Sequence, residues 1–318
     1  MNRPIASDVD AVVTGRDTST EGVVILELAA HGDTPLPEWT PGAHVDVLQP
    51  SGLIRQYSLC GQPGSDSWRL GVLREADARG GSKWMCDSLQ IGQNVRLAGP
   101  RTHFHFDAEP DVPVIFLAAG IGITPLIPMA SAAAAAHLDY QLHYSGHDGR
   151  MAFLSELAAA HGERLVTHVS ERDDRIDFAT VFAAATPGTH VYCCGPARFI
   201  DEAEEAAASA RLDFHTERFE AETMTAPLWP EPFEVELAMS GLTVTVPPDR
   251  SILDVVEENG VFVLSSCHEG TCGTCETPVL EGELDHRDSI LTPQERARGD
   301  VMFICVSRAA CPRLVLDL

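Results

Sequence analysis

The sequence predicts a chain of three consecutive domains: an antiparallel β-barrel, an α/β domain built on a parallel sheet, and an α+β domain. Three observations predict it. Short β runs of alternating polarity fill the first hundred or so residues. Continuous apolar runs then alternate with helical segments as far as residue 224. Beyond 232, β runs and one helix flank a dense cluster of cysteines and glycines. The chain has 318 residues, too many for one ordinary core. The boundaries that follow are 1–106, 107–224 and 233–318, with 225–232 as a linker.

In the first domain Val23–Ala30 is a strand candidate, and Ala43–Pro50 alternates as a half-buried strand does. Leu53–Cys60 and Trp68–Glu75 follow, separated by Gly, Pro and Ser turns, a spacing typical of a small barrel. A short helix starts near Ser82. Val112–Gly120 is an apolar run of the kind buried in parallel sheets, and the segment after it reads as a helix despite Pro128. The alternation continues through strands at Leu138–Gly146, Arg164–Ser170 and His190–Pro196. Helices are expected at Met151–His161, around Phe178 and at Ala197–Leu212. Phe214–Phe219 reads as one more short strand, and Ala221–Pro232 is rich in Pro and Thr with no clean period. Phe233 onward suggests a hairpin. Ser251 caps a helix that stops at Gly260, and Val301–Ser307 is expected to be the closing strand.

Composition narrows the function. The formal charge is −25, which disfavours nucleic acid and anionic membranes as partners. The chain contains a single lysine, Lys83. No run of 18 apolar residues and no signal peptide is evident, so a cytoplasmic protein is expected. The nine cysteines are odd in number, and five fall within the last 52 residues. A disulfide scaffold does not account for that local density.

Cys267, Cys272 and Cys275 have the spacing C-x4-C-x2-C, with Cys305 well downstream. This is the plant-type pattern for one [2Fe-2S] cluster. Zinc sites favour paired C-x2-C knuckles, and only one such pair is present. Gly270 and Gly273 let the backbone wrap the cluster and turn N–H groups toward its sulfurs. His268 lies inside this loop, and Cys311 reads as structural.

Two turns of the middle domain stand at strand ends, where parallel sheets bind ligands. Gly120-Ile-Gly122-Ile-Thr124-Pro125 offers backbone for close approach to a nucleotide, though it is not a full G-x-G-x-x-G. Cys193-Cys194-Gly195-Pro196 ends a later strand, with Cys193 assigned to the core and Cys194 to the crevice. In the first domain, Arg55-Gln-Tyr57-Ser58 joins a phosphate-binding fork to a ring that can stack on a planar cofactor. Arg79-Gly80-Gly81-Ser82-Lys83 precedes a short helix and offers N–H groups and a cation to a phosphate.

Taken together, these motifs and their order resemble the phthalate dioxygenase reductase family, which includes the vanillate O-demethylase reductases, over essentially the whole chain. The resemblance implies a flavin-binding β-barrel, a nucleotide-binding α/β domain and a β-grasp plant-type ferredoxin domain. It places Arg55 near the flavin phosphate, Tyr57 by the isoalloxazine, and Ser58 in the same motif. Gly81, Ser82 and Lys83 match a second phosphate-binding segment. Gly120, Gly122 and Thr124 match the pyridine-nucleotide motif. Thr124 and Cys194, the latter followed by Gly195 and Pro196, flank the nicotinamide. Glu217 and Phe219 resemble the segment that returns to the flavin, with Arg218 beside them. Tyr57, Thr124 and Cys194 are the residues assigned to catalysis.

The domain order, ferredoxin last, implies FMN, and the family implies NADH. Arg150, after the second strand of the middle domain, keeps NADPH open. The implied route runs from NADH to flavin, from flavin singly to the [2Fe-2S] centre, and on to a terminal oxygenase, expected to be Rieske-type. From Pro232 the chain carries 15 Asp and Glu against six Arg, which would steer it toward a basic acceptor face. Two alternatives stand: a reductase for another acceptor such as a cytochrome P450, and an electron carrier without its own reductase activity.

Overall fold

A computed structural model of the chain describes residues 8–32, 34–75, 81–170, 174–221 and 224–318. It divides into two compact units, Met1–Glu217 and Arg218–Leu318.

The first unit opens with six antiparallel strands: β1 (Asp8–Asp17), β2 (Val23–Ala30), β3 (Ala43–Leu48), β4 (Ile54–Ser58), β5 (Ser67–Leu73) and β6 (Asn94–Thr102). Their order is β4-β3-β6-β1-β2-β5, and a bridge between Leu59 and Leu70 joins the two edges into a barrel. Strand β2 is apolar at every position but Glu27 because both its faces are largely covered. Val24, Leu26 and Leu28 fill the barrel. Val23 and Ile25 point the other way, into the core of the α/β layer. A short helix, α1 (Gly81–Lys83), runs into a π-helical turn (Trp84–Ser88) that sends Met85 into the barrel.

The same unit continues with β7 (Val114–Ala119), α2 (Ile123–Ala135), β8 (Tyr140–Gly146), α3 (Leu154–His161), β9 (Leu165–Val169), α4 (Phe178–Ala183), β10 (His190–Cys194), α5 (Ala197–Ala210) and β11 (Asp213–Glu217). All strand pairs are parallel, in the order β11-β10-β7-β8-β9. Side chains of β7 alternate between two cores. Phe116 and Ala118 join residues of α2 and α3, whereas Ile115 and Leu117 join residues of α4 and α5. The strand order reverses between β7 and β10, and ligands of such sheets bind at that point, beyond the strand C-termini.

The second unit contains β12 (Phe233–Leu237), β13 (Leu242–Val246), α6 (Ile252–Glu258), β14 (Glu276–Glu281), β15 (Leu284–Asp285), α7 (Pro293–Arg298), β16 (Val301–Phe303), β17 (Arg308–Ala309) and β18 (Arg313–Leu316). The larger sheet has the order β13-β12-β18-β14-β16. Strand β12 pairs in parallel with β18, and α6 buries Ile252, Leu253, Val255 and Val256 in the shared core. Ser251 Oγ accepts a hydrogen bond from the Asp254 amide at 3.0 Å and caps α6, as its sequence position predicts.

Three parts of the sequence reading change. The strand expected at Val301–Ser307 ends at Phe303, and the chain then turns to present Cys305. The strand completing the sheet is β18, only four residues long and inconspicuous after Pro312. Strands β1 and β6 were not singled out, because acidic residues interrupt the first and Gly99-Pro100 the second. In the segment assigned to the linker, Leu228 N donates to Asp285 Oδ2 at 3.2 Å, Arg287 donates to the Thr225 carbonyl, and Trp229 packs on the second unit's core. Residues 222–223 of the wider Pro- and Thr-rich stretch lie outside the described residues, as do Arg79 and Gly80.

Candidate active site and iron-sulfur site

Parallel register sets three strand ends side by side: Ala118 is opposite Cys194, and Cys194 is opposite Glu217. The chain leaves β7 through a single 3-10 turn, Gly120–Gly122, before α2 begins. Gly120 has φ +56, and the space beside it is open. Gly122 is a close-approach glycine. A β carbon there would overlap the Cys194 carbonyl and lie 2.7 Å from the Gly195 nitrogen. The two turns singled out in the sequence are therefore packed backbone to backbone.

Thr124 is buried in the first turn of α2, where its hydroxyl donates to the Ile121 carbonyl at 2.9 Å. Its methyl group faces Gly71 of the barrel strand β5, where a β carbon would come within 2.8 Å. Cys194 is fully buried. Burial, with a smaller contribution from Glu217, pushes its thiol well above the usual range, so it remains protonated and is no nucleophile.

Glu217 joins the sheet end to the barrel. Ser58 Oγ donates to Glu217 Oε2 at 3.3 Å, and His44 Nδ1 lies 3.8 Å from Oε1. His44 and Ser58 are register partners on β3 and β4. Burial pushes the Glu217 carboxyl up to about 8, against the pull of the Ser58 hydrogen bond. At neutral pH this site therefore holds a neutral carboxylic acid beside a neutral thiol.

A second group gathers at the barrel mouth. Arg55 and Tyr57 alternate onto one face of β4, where Tyr57 packs partly against the barrel core. The Arg55 side chain lies over Gly81, 2.6 Å from where a β carbon would stand. The Gly81 carbonyl accepts from Gln49 Nε2 at 3.0 Å, and Ser82 Oγ accepts from the Glu75 amide at 3.2 Å. Burial, followed by the neighbouring Cys86, pushes the Tyr57 phenol above its ordinary range. Tyr57 thus offers a neutral ring to a planar ligand. Lys83 closes α1, and Pro196 precedes α5. Phe219 falls in the second unit and is 42% exposed.

The sequence reading missed His44, Gln49 and Gly71. An isolated glycine within a strand signals close backbone approach, so Gly71 was detectable. Nothing local marks His44 or Gln49.

In the second unit, Cys267, Cys272, Cys275 and Cys305 converge through side-chain contacts that run Cys272–Cys267–Cys305–Cys275. The amides of Glu269 and Thr274 point at the sulfurs of Cys267 and Cys272, at 3.3 and 3.4 Å. Four convergent thiols with sulfur-directed N–H groups fit a [2Fe-2S] cluster. His268, Gly270 and Gly273 all have positive φ, which curls the loop around this point. Asp288 anchors it from behind. Its fully buried carboxylate accepts from the Ile290 and Leu291 amides, while the Ser289 amide donates to the Gly270 carbonyl. Cys311 lies apart, its sulfur accepting from the Glu283 amide.

Comparison with known proteins agrees with this geometry. A 2Fe-2S iron-sulfur cluster binding domain matches residues 235–310. The toluene-4-sulfonate monooxygenase system reductase subunit TsaB1 of Comamonas testosteroni is 39% identical over 99% of this chain and 100% of its own length. The solved structure of phthalate dioxygenase reductase, described as modular for electron transfer from pyridine nucleotides to [2Fe-2S], is 34% identical, with a TM-score of 0.68 and 98% of each chain covered. An intact type IV self-sufficient cytochrome P450 monooxygenase is 37% identical with a TM-score of 0.90; this chain spans 43% of it. Among the described residues no helix is long and apolar enough to cross a membrane. Relatives of matching length are thus similar over nearly the whole chain, through barrel, parallel sheet and four-cysteine loop, and the chain belongs to the phthalate dioxygenase reductase family.

Proposed function

We propose that this chain is the reductase component of an oxygenase system, carrying electrons from NADH through FMN to a [2Fe-2S] cluster and on to a Rieske-type terminal oxygenase. The observation that carries the reading is the convergence of Ser58, Glu217, Cys194 and the Gly122 turn at the sheet's switch point, in a chain that also gathers four cluster thiols. When bound, the flavin supplies the exchange between a two-electron donor and a one-electron carrier.

The chain's own residues hold and shield. Arg55 and the Gly81–Lys83 segment are assigned to the flavin phosphate, and the neutral Tyr57 ring to its planar system. The turns at Gly120–Thr124 and Cys194–Pro196 are assigned to the nicotinamide, with Thr124 and Cys194 at its flanks and Gly195 and Pro196 lining the second turn. Glu217 in its neutral form donates or accepts a hydrogen bond without adding charge to the crevice. Phe219 is assigned to the return toward the flavin. NADH is assigned from the family; Arg150, paired with Glu21 at 2.6 Å on the surface, is the residue that an extra phosphate would engage instead.

Anaerobic titration with NADH, followed by absorbance and EPR, tests the route. Flavin bleaching accompanied by a reduced [2Fe-2S] signal is expected; a flavin that bleaches while the cluster stays oxidised refutes it. Flavin released from the same sample distinguishes FMN from FAD. A cytochrome P450 is the second acceptor reading, favoured by the self-sufficient P450 that contains a segment similar to this chain. Mixing the reduced protein with each acceptor type and following oxidation separates the two.

A further inference from the structure

We propose that His190, Asp213 and His215 form a binding site for a zinc-class divalent cation on the edge of the parallel sheet, at the opposite ends of the strands from Cys194 and Glu217. His190 opens β10 and Asp213 opens β11, and the two are register partners. His215 follows two residues later, on the same face as Asp213. The three donor atoms therefore come from two adjacent strands of fixed geometry.

Their spacing suits a metal. His190 Nε2 lies 3.5 Å from Asp213 Oδ2, and His215 Nε2 lies 3.3 Å from the same oxygen. Donors about 2.0–2.1 Å from a tetrahedral zinc stand roughly 3.4 Å apart, so both edges are already at length. All three donor atoms fall within 4.8 Å of one another. Two imidazoles and one carboxylate form a typical zinc donor set, with one position left for water.

The environment suits an ion as well. His215 Nε2 is shielded from solvent, and the polar atom it faces is the Asp213 carboxylate oxygen at 3.3 Å, which would ligate the same ion. The His215 ring is also held in place. It stacks on Tyr192 with centroids 4.7 Å apart and planes within 13°. Asp107, in the segment entering β7, acts electrostatically on both Tyr192 and His215 and adds negative potential. A cation here would brace β10 against β11. His190 and Asp213 lie about 13 Å, four residues of strand, from the functional ends, and His215 lies about 7 Å, two residues, from Glu217. The ion would stabilise the strand pair at the end away from Cys194.

The test uses the purified full-length protein with flavin and cluster in place. It is dialysed against micromolar zinc chloride, and bound zinc is counted by mass spectrometry while absorbance confirms that the cluster is intact. Wild type is expected to take up about one equivalent of zinc and to melt at a higher temperature with it. Asp213→Asn, at a side chain 55% exposed and so tolerant of change, and His215→Gln are each expected to weaken zinc binding at least about tenfold and to abolish the thermal shift. No zinc on wild type, or an equivalent retained by both variants, overturns the proposal.

Discussion

Gly122→Ala is expected to damage the reaction more than the fold. Gly122 sits at φ −61, ordinary for any residue, so alanine adds no backbone strain. What it adds is a collision, because the new β carbon falls on the Cys194 carbonyl and beside the Gly195 nitrogen. Backbone cannot rotate aside as a long side chain does. Restoring van der Waals distance requires the two turns to part by roughly 1 Å. Overpacking of this kind costs about 1–3 kcal/mol of stability. A shift of ~1 Å between groups that position a substrate costs on the order of 10²-fold in rate. Stopped-flow reduction of the flavin by NADH, under anaerobic conditions and at saturating nucleotide, measures it. Flavin and cluster content should stay at wild-type levels while the rate falls about a hundredfold. Gly120→Ala is the contrast. Its β carbon meets nothing, but φ is +56, so the cost is conformational, about 1–2 kcal/mol in unfolding free energy. A Gly122→Ala enzyme that reduces its flavin at the wild-type rate would refute the backbone-contact argument.

Three further outcomes follow from the same geometry. Glu217 binds its proton more tightly when folded, with its value raised from 4.5 to about 8. Its stabilising contribution is therefore complete below pH 4.5 and is lost as pH rises through 8. Glu217→Gln mimics the neutral acid, so its melting temperature should match wild type near pH 4, exceed it increasingly as pH rises toward 8, and hold a constant lead above that; equal pH slopes would sink this account. Asp288 behaves oppositely. Burial alone would raise its value, but the close approach of His286 Nδ1 at 3.7 Å and the hydrogen bonds from the Leu291 and Ile290 amides lower it below 3.8. Its contribution is present above 3.8 and lost as pH falls through the depressed value. Asp288→Ala should cost about 2–4 kcal/mol at neutral pH and shed the cluster, measured as iron content after gel filtration. Cys193 and Cys194 are both fully buried, so native protein treated with iodoacetamide should carry no label at either, as peptide mass spectrometry can verify.

Much of the fold was legible because periodicity and punctuation agreed. The apolar run before Gly120 and the alternating strands and helices up to Glu217 read directly as a parallel sheet, and Ser251 announced α6. What was not legible depends on pairing. Strand β18 is four residues long and earns its place only by lying parallel to β12. Strand β6 carries Gly99-Pro100, which reads as a break, yet it is held between β1 and β3. Cys305 was expected within a strand; it sits in the turn after β16, where a thiol is free to face the loop rather than a sheet neighbour.

The site follows the same rule, with one difference. Residues whose role depends on backbone, such as Gly122 and the loop glycines, left marks in the sequence. Those whose role depends on a distant partner did not. His44 becomes relevant only because β3 aligns it with Ser58, and Ser58 reaches Glu217 some 159 residues away. That reach is stable because β2 belongs to two cores at once. Val24 and Leu26 are packed by the barrel, and Val23 and Ile25 by the layer that carries α2 and α3. A strand with both faces buried cannot slide by one residue without exchanging its two sets of side chains. The barrel bearing Ser58 and the sheet bearing Glu217 are therefore locked in register by the apolar pattern of eight residues, Val23–Ala30. This lock, together with the contacts of Gly71 and Ser58, gives the crevice between the two sheets a fixed geometry.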